Sequence, residues 1–282
     1  VSRLLDRGGQ VGLALDQLHE KGIWVLTCAD DDYPPRYIER FEGTAPPVLF
    51  GAGPKSLLQE RGVAVVGSRN VDEAAAAYTA ELAHLCAESE LTVFSGGARG
   101  VDRIAMNAVL EAGGASVGIL ADSLERTIAQ RETRELVLDG RAALISPYHP
   151  SAGFSVGNAM GRNRLIYALA DYAVVVESTI DKGGTWSGAI EDLKRGWVPL
   201  CVRPVDTPGS GNPHLIERGG IALDLEEKPS DTDLAVWLGE LVAARPRSHT
   251  SATPSNSRRE LRTRVGTGRA ASQGARVSQA RG

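Results

Sequence analysis

Leu91-Thr92-Val93-Phe94-Ser95-Gly96-Gly97-Ala98-Arg99-Gly100-Val101-Asp102 starts as a short apolar strand, turns on glycines and continues as a helix. Downstream, Val101, Ile104, Ala105, Val109 and Ala112 recur at helical spacing and leave Asp102, Arg103, Asn107 and Glu111 outside. A strand that passes through a glycine turn into an amphipathic helix is the repeating unit of a parallel α/β sheet. The same unit stands upstream, where Val63 to Val66 runs into Gly67-Ser68-Arg69-Asn70 and Asp72 is placed to cap the next helix. Apolar runs at Ser116 to Leu120, Ala142 to Ile145, Ala173 to Val176 and Leu200 to Val202 alternate with helix-length spacers. The expected fold class is α/β with a mostly parallel sheet.

Composition agrees with this reading. Of 282 residues, 42% are hydrophobic and only 5% aromatic, with 32 glycines, which suits thin, closely packed helices on a sheet. Cys28, Cys86 and Cys201 are odd in number and far from any metal-ligand spacing, so a reducing, cytoplasmic setting is expected and no metal site is. No apolar run approaches the roughly 20 residues of a membrane span. The formal charge of −4 conceals an asymmetry. Between Arg245 and Gly282 lie nine arginines and one acid, a stretch of +8 that leaves −12 for the rest.

The expected organisation is an N-terminal lead-in over residues 1–54, an α/β core over 55–228, a short helix over 229–245 and a disordered basic tail over 246–282. In the lead-in, a helix from about Gly12 to Glu20 and a strand near Ile23 to Thr27 precede Tyr33-Pro34-Pro35 and Pro46-Pro47. The tail has too few apolar residues to offset the entropy of ordering it. Arg126 to Leu138 reads as one charged helix.

In an open α/β sheet, ligands bind beyond the carboxyl ends of the strands, where helix N-termini aim free N–H groups at anions. Gly67, Ser68 and Arg69 form one such segment, and the loop containing Ser95, Gly96, Gly97 and Arg99 forms a second; together they make one anion-binding rim. Gly161-Arg162-Asn163-Arg164 reads as the opening of a helix that turns Leu165, Ile166 and Leu169 inward. Cations in a first turn oppose the helix dipole unless an anion sits there, so Arg162, Asn163 and Arg164 are candidate ligand groups. Lys182-Gly183-Gly184-Thr185 places a lysine before a glycine turn and a helix N-terminus, adding Lys182, Gly184 and Thr185. No G-x-G-x-x-G fingerprint, P-loop or nucleophile elbow is present, and the five histidines are scattered. No catalytic residue and no cofactor are expected.

In order and spacing these segments resemble the DprA/Smf family of DNA-processing proteins. The resemblance runs from about Asp32 to Gly220, through Asp32-Tyr33-Pro34, Pro46-Pro47-Val48-Leu49-Phe50-Gly51, the rim segments, Arg162-Asn163-Arg164-Leu165-Ile166, Lys182-Gly183-Gly184-Thr185 and Gly211-Asn212-Pro213-His214-Leu215-Ile216. It implies an extended Rossmann-like fold with helices on both faces of the sheet. It also implies single-stranded DNA bound through backbone phosphates, a homodimer, a RecA-type recombinase as recipient of the strand, and no bond made or broken. Three features depart from the family pattern. Ala159 stands where an aromatic usually precedes Arg-Asn-Arg by three residues, the nearest aromatic being Phe154; Asp122 to Gly140 lacks the usual Tyr-Pro and Asn; and no winged-helix-like segment follows Leu225.

Two other readings share the same cleft. A LOG-type hydrolase of nucleoside monophosphates would need a glutamate close after its glycine-threonine loop, whereas Glu191 lies six residues past Thr185. A nucleotide sensor fits the acidic body, because a protein dedicated to a polyanion is more often basic overall.

Overall fold

The computed structural model describes residues 8–205 and 207–244. The basic tail, expected to be disordered, lies outside the described residues. The strands are β1 (Trp24–Thr27), β2 (Val48–Ala52), β3 (Gly62–Val66), β4 (Thr92–Ser95), β5 (Ser116–Ile119), β6 (Ala142–Ser146), β7 (Tyr172–Val175), β8 (Leu200–Val202) and β9 (Ile221–Ala222). The helices are α1 (Gly8–Glu20), α2 (Pro35–Phe41), α3 (Glu73–Glu88), α4 (Val101–Glu111), α5 (Leu124–Ile128), α6 (Arg131–Leu138), α7 (Val156–Leu169), α8 (Gly183–Arg195), α9 (Asn212–Glu217) and α10 (Leu234–Ala244).

All the strands join one sheet in the order β1-β2-β6-β5-β4-β3-β7-β8-β9. From β6 through β3 to β9 neighbours are parallel, and β2 pairs antiparallel with both β1 and β6. The lead-in therefore supplies the edge strand β1 and its neighbour β2 to the sheet itself. Because the chain moves outward from β3 to β4, β5 and β6 and then returns to place β7 on the other side of β3, the strand order reverses between β3 and β7. Loops leaving those two strands diverge to opposite faces and open a crevice, the usual ligand position of such sheets.

Successive strand residues feed two cores. Ala64, Val66, Phe94, Ala173 and Val175 pack with residues of α2, α7 and α8, while Val63, Val65, Val93, Val174 and Val176 pack with residues of α3, α4 and α10. Helices thus cover both faces, as expected. Among the described residues, no helix is long and apolar enough to cross a membrane.

The single helix expected over Arg126 to Leu138 is two. Ser123 caps α5 by accepting the Arg126 N–H, Leu124 and Ile128 enter a small core, and Gln130, in extended conformation, redirects the chain before α6, none of whose residues is fully buried. One straight helix could not bury the first pair and keep Glu132 and Glu135 in solvent. Helix α1 also begins four residues before the expected Gly12.

One buried acid gives the fold a pH dependence. Asp192 of α8 is fully buried; its Oδ1 accepts the Val198 N–H at 3.2 Å, while Oδ2 and the nearby Tyr167 hydroxyl have no hydrogen-bond partner among the described residues. Burial pushes the Asp192 carboxyl up to about 7, against the Val198 N–H and Arg40, which favour the charged form. The native state then binds this proton more tightly than the unfolded chain, where an aspartate titrates near pH 3.9. Stability contributed here is complete below about pH 4, declines as pH rises towards 7, and is gone above it. Asp192→Asn keeps an acceptor for Val198 and should raise stability at pH 8 by up to about 4 kcal/mol. Thermal melts from pH 5 to 8 check this: the variant gains over wild type as pH rises, and a constant difference would contradict it.

Candidate nucleic-acid interface

The loops after β3 and β4 are built against each other. Ser68 Oγ donates to Asn70 O at 2.6 Å and accepts the Asn70 N–H at 3.1 Å, and Asp72 caps α3 by accepting the Ala75 N–H at 2.7 Å. Val101, the first residue of α4, donates its N–H to Ser68 O at 3.1 Å. Gly100 permits that approach. Its φ is +89°, and a Cβ there would collide with Ser68 O. Helix α8 docks on the same rim through Thr185 Oγ1, which donates to Gly67 O at 2.9 Å, and Asn163 Nδ2 of α7 donates to Gly184 O at 3.1 Å.

These contacts enclose a cleft of about 610 Å³ at the β3–β7 crevice. Gly67 to Arg69, Glu177 to Thr179, Lys182 to Thr185 and the inner face of α7 line it. At its base sits Arg162, 5% exposed, whose Nε and Nη1 have no hydrogen-bond partner among the described residues. Asp102, also buried, accepts the Gly96 N–H at 3.2 Å and is its nearby countercharge. Burial pulls the guanidinium below its ordinary range, and Asp102 opposes that; burial likewise raises the Asp102 carboxyl, against Arg162 and the N–H groups of Ala98, Gly96 and Gly67. Gly96 is required by this arrangement, since a Cβ would overlap Arg162 Nη1. A buried guanidinium with free donors is costly unless an anion completes it.

The outer wall is apolar. Phe154, Val156 and Met160 are each more than half exposed and line the cleft, and the Arg69 guanidinium stacks over the Phe154 ring at 5.5 Å. Arg69, Ala98, Phe154 and Arg162 also border a second cavity of about 610 Å³ on the β4–β5 side. Glu177 Oε2 has no hydrogen-bond partner among the described residues, and burial followed by nearby Asp72 raises its carboxyl, with Arg203 opposing.

The expected residues divide accordingly. Gly67, Ser68, Arg69, Arg162, Asn163, Lys182, Gly184 and Thr185 meet at the first cleft. Gly96, Gly97 and Arg99 line the second cavity, with Arg99 donating to Asn70 Oδ1 at 2.7 Å. Ser95 is not at the rim: it is fully buried, and its Oγ donates to Val65 O at 2.7 Å, tying β4 to β3. Arg164 points elsewhere, over the Phe41 ring at 4.9 Å and towards Thr44 O at 3.4 Å. Residues two apart on a helix diverge by about 200°, so Arg162 and Arg164 cannot serve one cleft.

Arg162-Asn163-Arg164 also does not open a helix. Ser155 caps α7 by accepting the Asn158 N–H at 3.0 Å, which puts Arg162 in the second turn, where the dipole argument does not apply. Asp102, expected on the outer face of α4, is buried instead. Val156, Met160 and Glu177 also line the cleft, and their sequence carries no signal beyond adjacency to the motif segments.

A doubly wound α/β sheet with glycine-rich loops and a cleft at its switch point defines the class of Rossmann-like folds. The model of one family within that class, DNA recombination-mediator protein A, matches residues 24–228. The chain belongs to this family, the DprA/Smf proteins. It is 29% identical over 245 residues to a DprA-type protein of Mycobacterium tuberculosis, covering 83% of this chain and 63% of that one. It is 30% identical over 198 residues to the DNA processing protein DprA of Streptococcus pneumoniae, covering 69% of this chain and 68% of that one. The chain thus spans 63% of the length of its mycobacterial relative. The X-ray structure of the Streptococcus pneumoniae protein superposes with a TM-score of 0.63 at 26% identity over 74% of each chain. A Helicobacter pylori DprA structure superposes with 0.61 at 23% identity over 79% of this chain and 97% of that one.

Proposed function

We propose that this chain binds single-stranded DNA along its backbone phosphates in the β3–β7 cleft, acts as a homodimer, and passes the strand to a RecA-type recombinase without making or breaking a bond. The observation that carries the reading is Arg162, buried at the base of the cleft with two unpartnered donors. Family membership supports a role in recombination, and the Helicobacter pylori relative is described for its single-stranded DNA binding mode. In this reading Gly67, Ser68, Arg69, Asn163, Lys182, Gly184 and Thr185 line the phosphate path, and the N-terminus of α8 adds its dipole. Phe154 and Met160 offer stacking surface on the outer wall, where Ala159 offers none. Backbone contacts of this kind give affinity that is independent of sequence and sensitive to salt.

Lys182 is exposed and can be removed without disturbing the fold. Lys182→Ala should weaken binding of oligo-dT and oligo-dC alike, by several-fold, and reduce the slope of log K against log salt by about 0.7, one phosphate contact. Fluorescence anisotropy over a salt series measures both. An unchanged slope would remove Lys182 from the strand's path.

A further inference from the structure

We infer that the second cavity is a binding chamber for a nucleoside monophosphate, that is, one base carrying a terminal phosphate. The inference deepens the strand-binding reading and rests on it for the roles of Arg69 and Arg162. The chamber has about 610 Å³, well within the size range of small-molecule sites. Its floor is apolar, formed by Met106, Leu120 and Leu144, and suits the face of a base. Asn107, Gln130 and Thr133 supply hydrogen-bonding groups of the kind that meet a base edge.

The charges call for a phosphate. Arg69, Arg99, Arg103 and Arg162 line the chamber together with Asp122 and Glu132, a balance of +2 among the lining residues, or +1 with the buried Asp102 beside Arg162 counted as charged. A phosphodiester within a strand carries a single negative charge, whereas a terminal phosphate monoester carries about −1.5 to −2 at pH 7. A polyphosphate would exceed the balance and meet the two carboxylates. Arg162, nine-tenths buried with unpartnered donors, stands in the wall shared with the first cleft. The Arg69–Phe154 stack separates the two openings, so a strand in the first cleft can lead its end into the second.

Two sources share this chemistry, a free mononucleotide and the 5′-phosphorylated end of a strand, and the test separates them. The full chain and Arg103→Glu, an exposed site that lines only the second cavity, are titrated with AMP by thermal shift and with labelled oligo-dT bearing either a 5′-phosphate or a 5′-hydroxyl. If the strand's end is the occupant, the 5′-phosphate tightens binding about tenfold and Arg103→Glu erases that gain while leaving the 5′-hydroxyl strand bound as before. If the occupant is a free nucleotide, AMP raises the melting temperature of the wild type but not of Arg103→Glu, and the 5′-phosphate makes no difference. The inference is overturned if AMP gives no shift and the 5′-phosphate no gain, or if Arg103→Glu retains either effect. Failure of the strand-binding reading has a different signature, loss of 5′-hydroxyl oligo-dT binding by the wild type itself.

Discussion

Arg162→Ala is expected to weaken binding of single-stranded oligonucleotides by about a hundredfold. The Arg162 guanidinium lies in the wall of the cleft with no hydrogen-bond partner for Nε or Nη1 among the described residues, both atoms closed to solvent until the side chain turns towards a phosphate, and each of two hydrogen bonds to that charged group contributes about 1.5 kcal/mol or more. Loss of both amounts to about 3 kcal/mol, or two orders of magnitude in affinity. The substitution also strips Asp102 of its countercharge. Asp102 keeps the Gly96 N–H, and as burial already favours its neutral form, the variant should remain folded with the carboxyl protonated more readily. Arg162→Ala combined with Asp102→Asn removes the residual charge and should bind as poorly as the single variant. Anisotropy with oligo-dT, beside a thermal melt, separates lost contact from lost fold. A folded Arg162→Ala protein with affinity within twofold of wild type would contradict the site.

The second large effect is on stability. Asn212 is fully buried at the start of α9 and uses its whole amide: Nδ2 donates to Val176 O at 3.0 Å and Arg203 O at 2.9 Å, while Oδ1 accepts from Ser178 N at 3.0 Å and Ser178 Oγ at 2.8 Å. One side chain therefore joins the ends of β7 and β8 to the loop that forms the cleft floor. Asn212→Ala leaves several buried polar groups unpaired, and at about 1–3 kcal/mol for each unsatisfied group the loss should reach about 3 kcal/mol or more. For a chain of this size that is a fall of roughly 6 °C in melting temperature. Asn212→Asp keeps the acceptor but sets a carboxylate oxygen against Val176 O and Arg203 O in a fully buried site, so at neutral pH it should cost at least as much as Asn212→Ala. A loss below about 1 kcal/mol for Asn212→Ala by urea denaturation would show that the junction is held elsewhere.

Strand and helix order was legible because the parallel core strands are continuous apolar runs closed by glycine turns, and α4 repeats its apolar residues without interruption. The antiparallel pairing of β2 with β6 was not, since a five-residue strand among prolines carries no sign of its partner. Asp102 shows the limit of periodicity. The 3.6-residue pattern identifies the face of α4 that meets the sheet, but in the first turn of a helix side chains lean back over the preceding loop, and there an outward position can be buried. Arg164 shows a second limit: once Ser155 caps α7, helical geometry sends Arg162 and Arg164 to different sides, and only a correct start of the helix reveals which one reaches the cleft. Phe154 lay outside every motif, and the fold of its loop alone brings it onto Arg69.

The central claim is that the described body of the chain, and not the basic segment from Arg245 onward, holds the strand. Anisotropy of labelled oligo-dT against the full chain and a version ending at Ala244, over a salt series with duplex as competitor, tests it most directly. The account predicts that the shortened chain binds, prefers the single strand to duplex, and shows log K falling with log salt by about 0.7 for each phosphate contacted. Binding by the full chain alone, competed equally by duplex, would contradict it and assign the affinity to the nine arginines of residues 245–282.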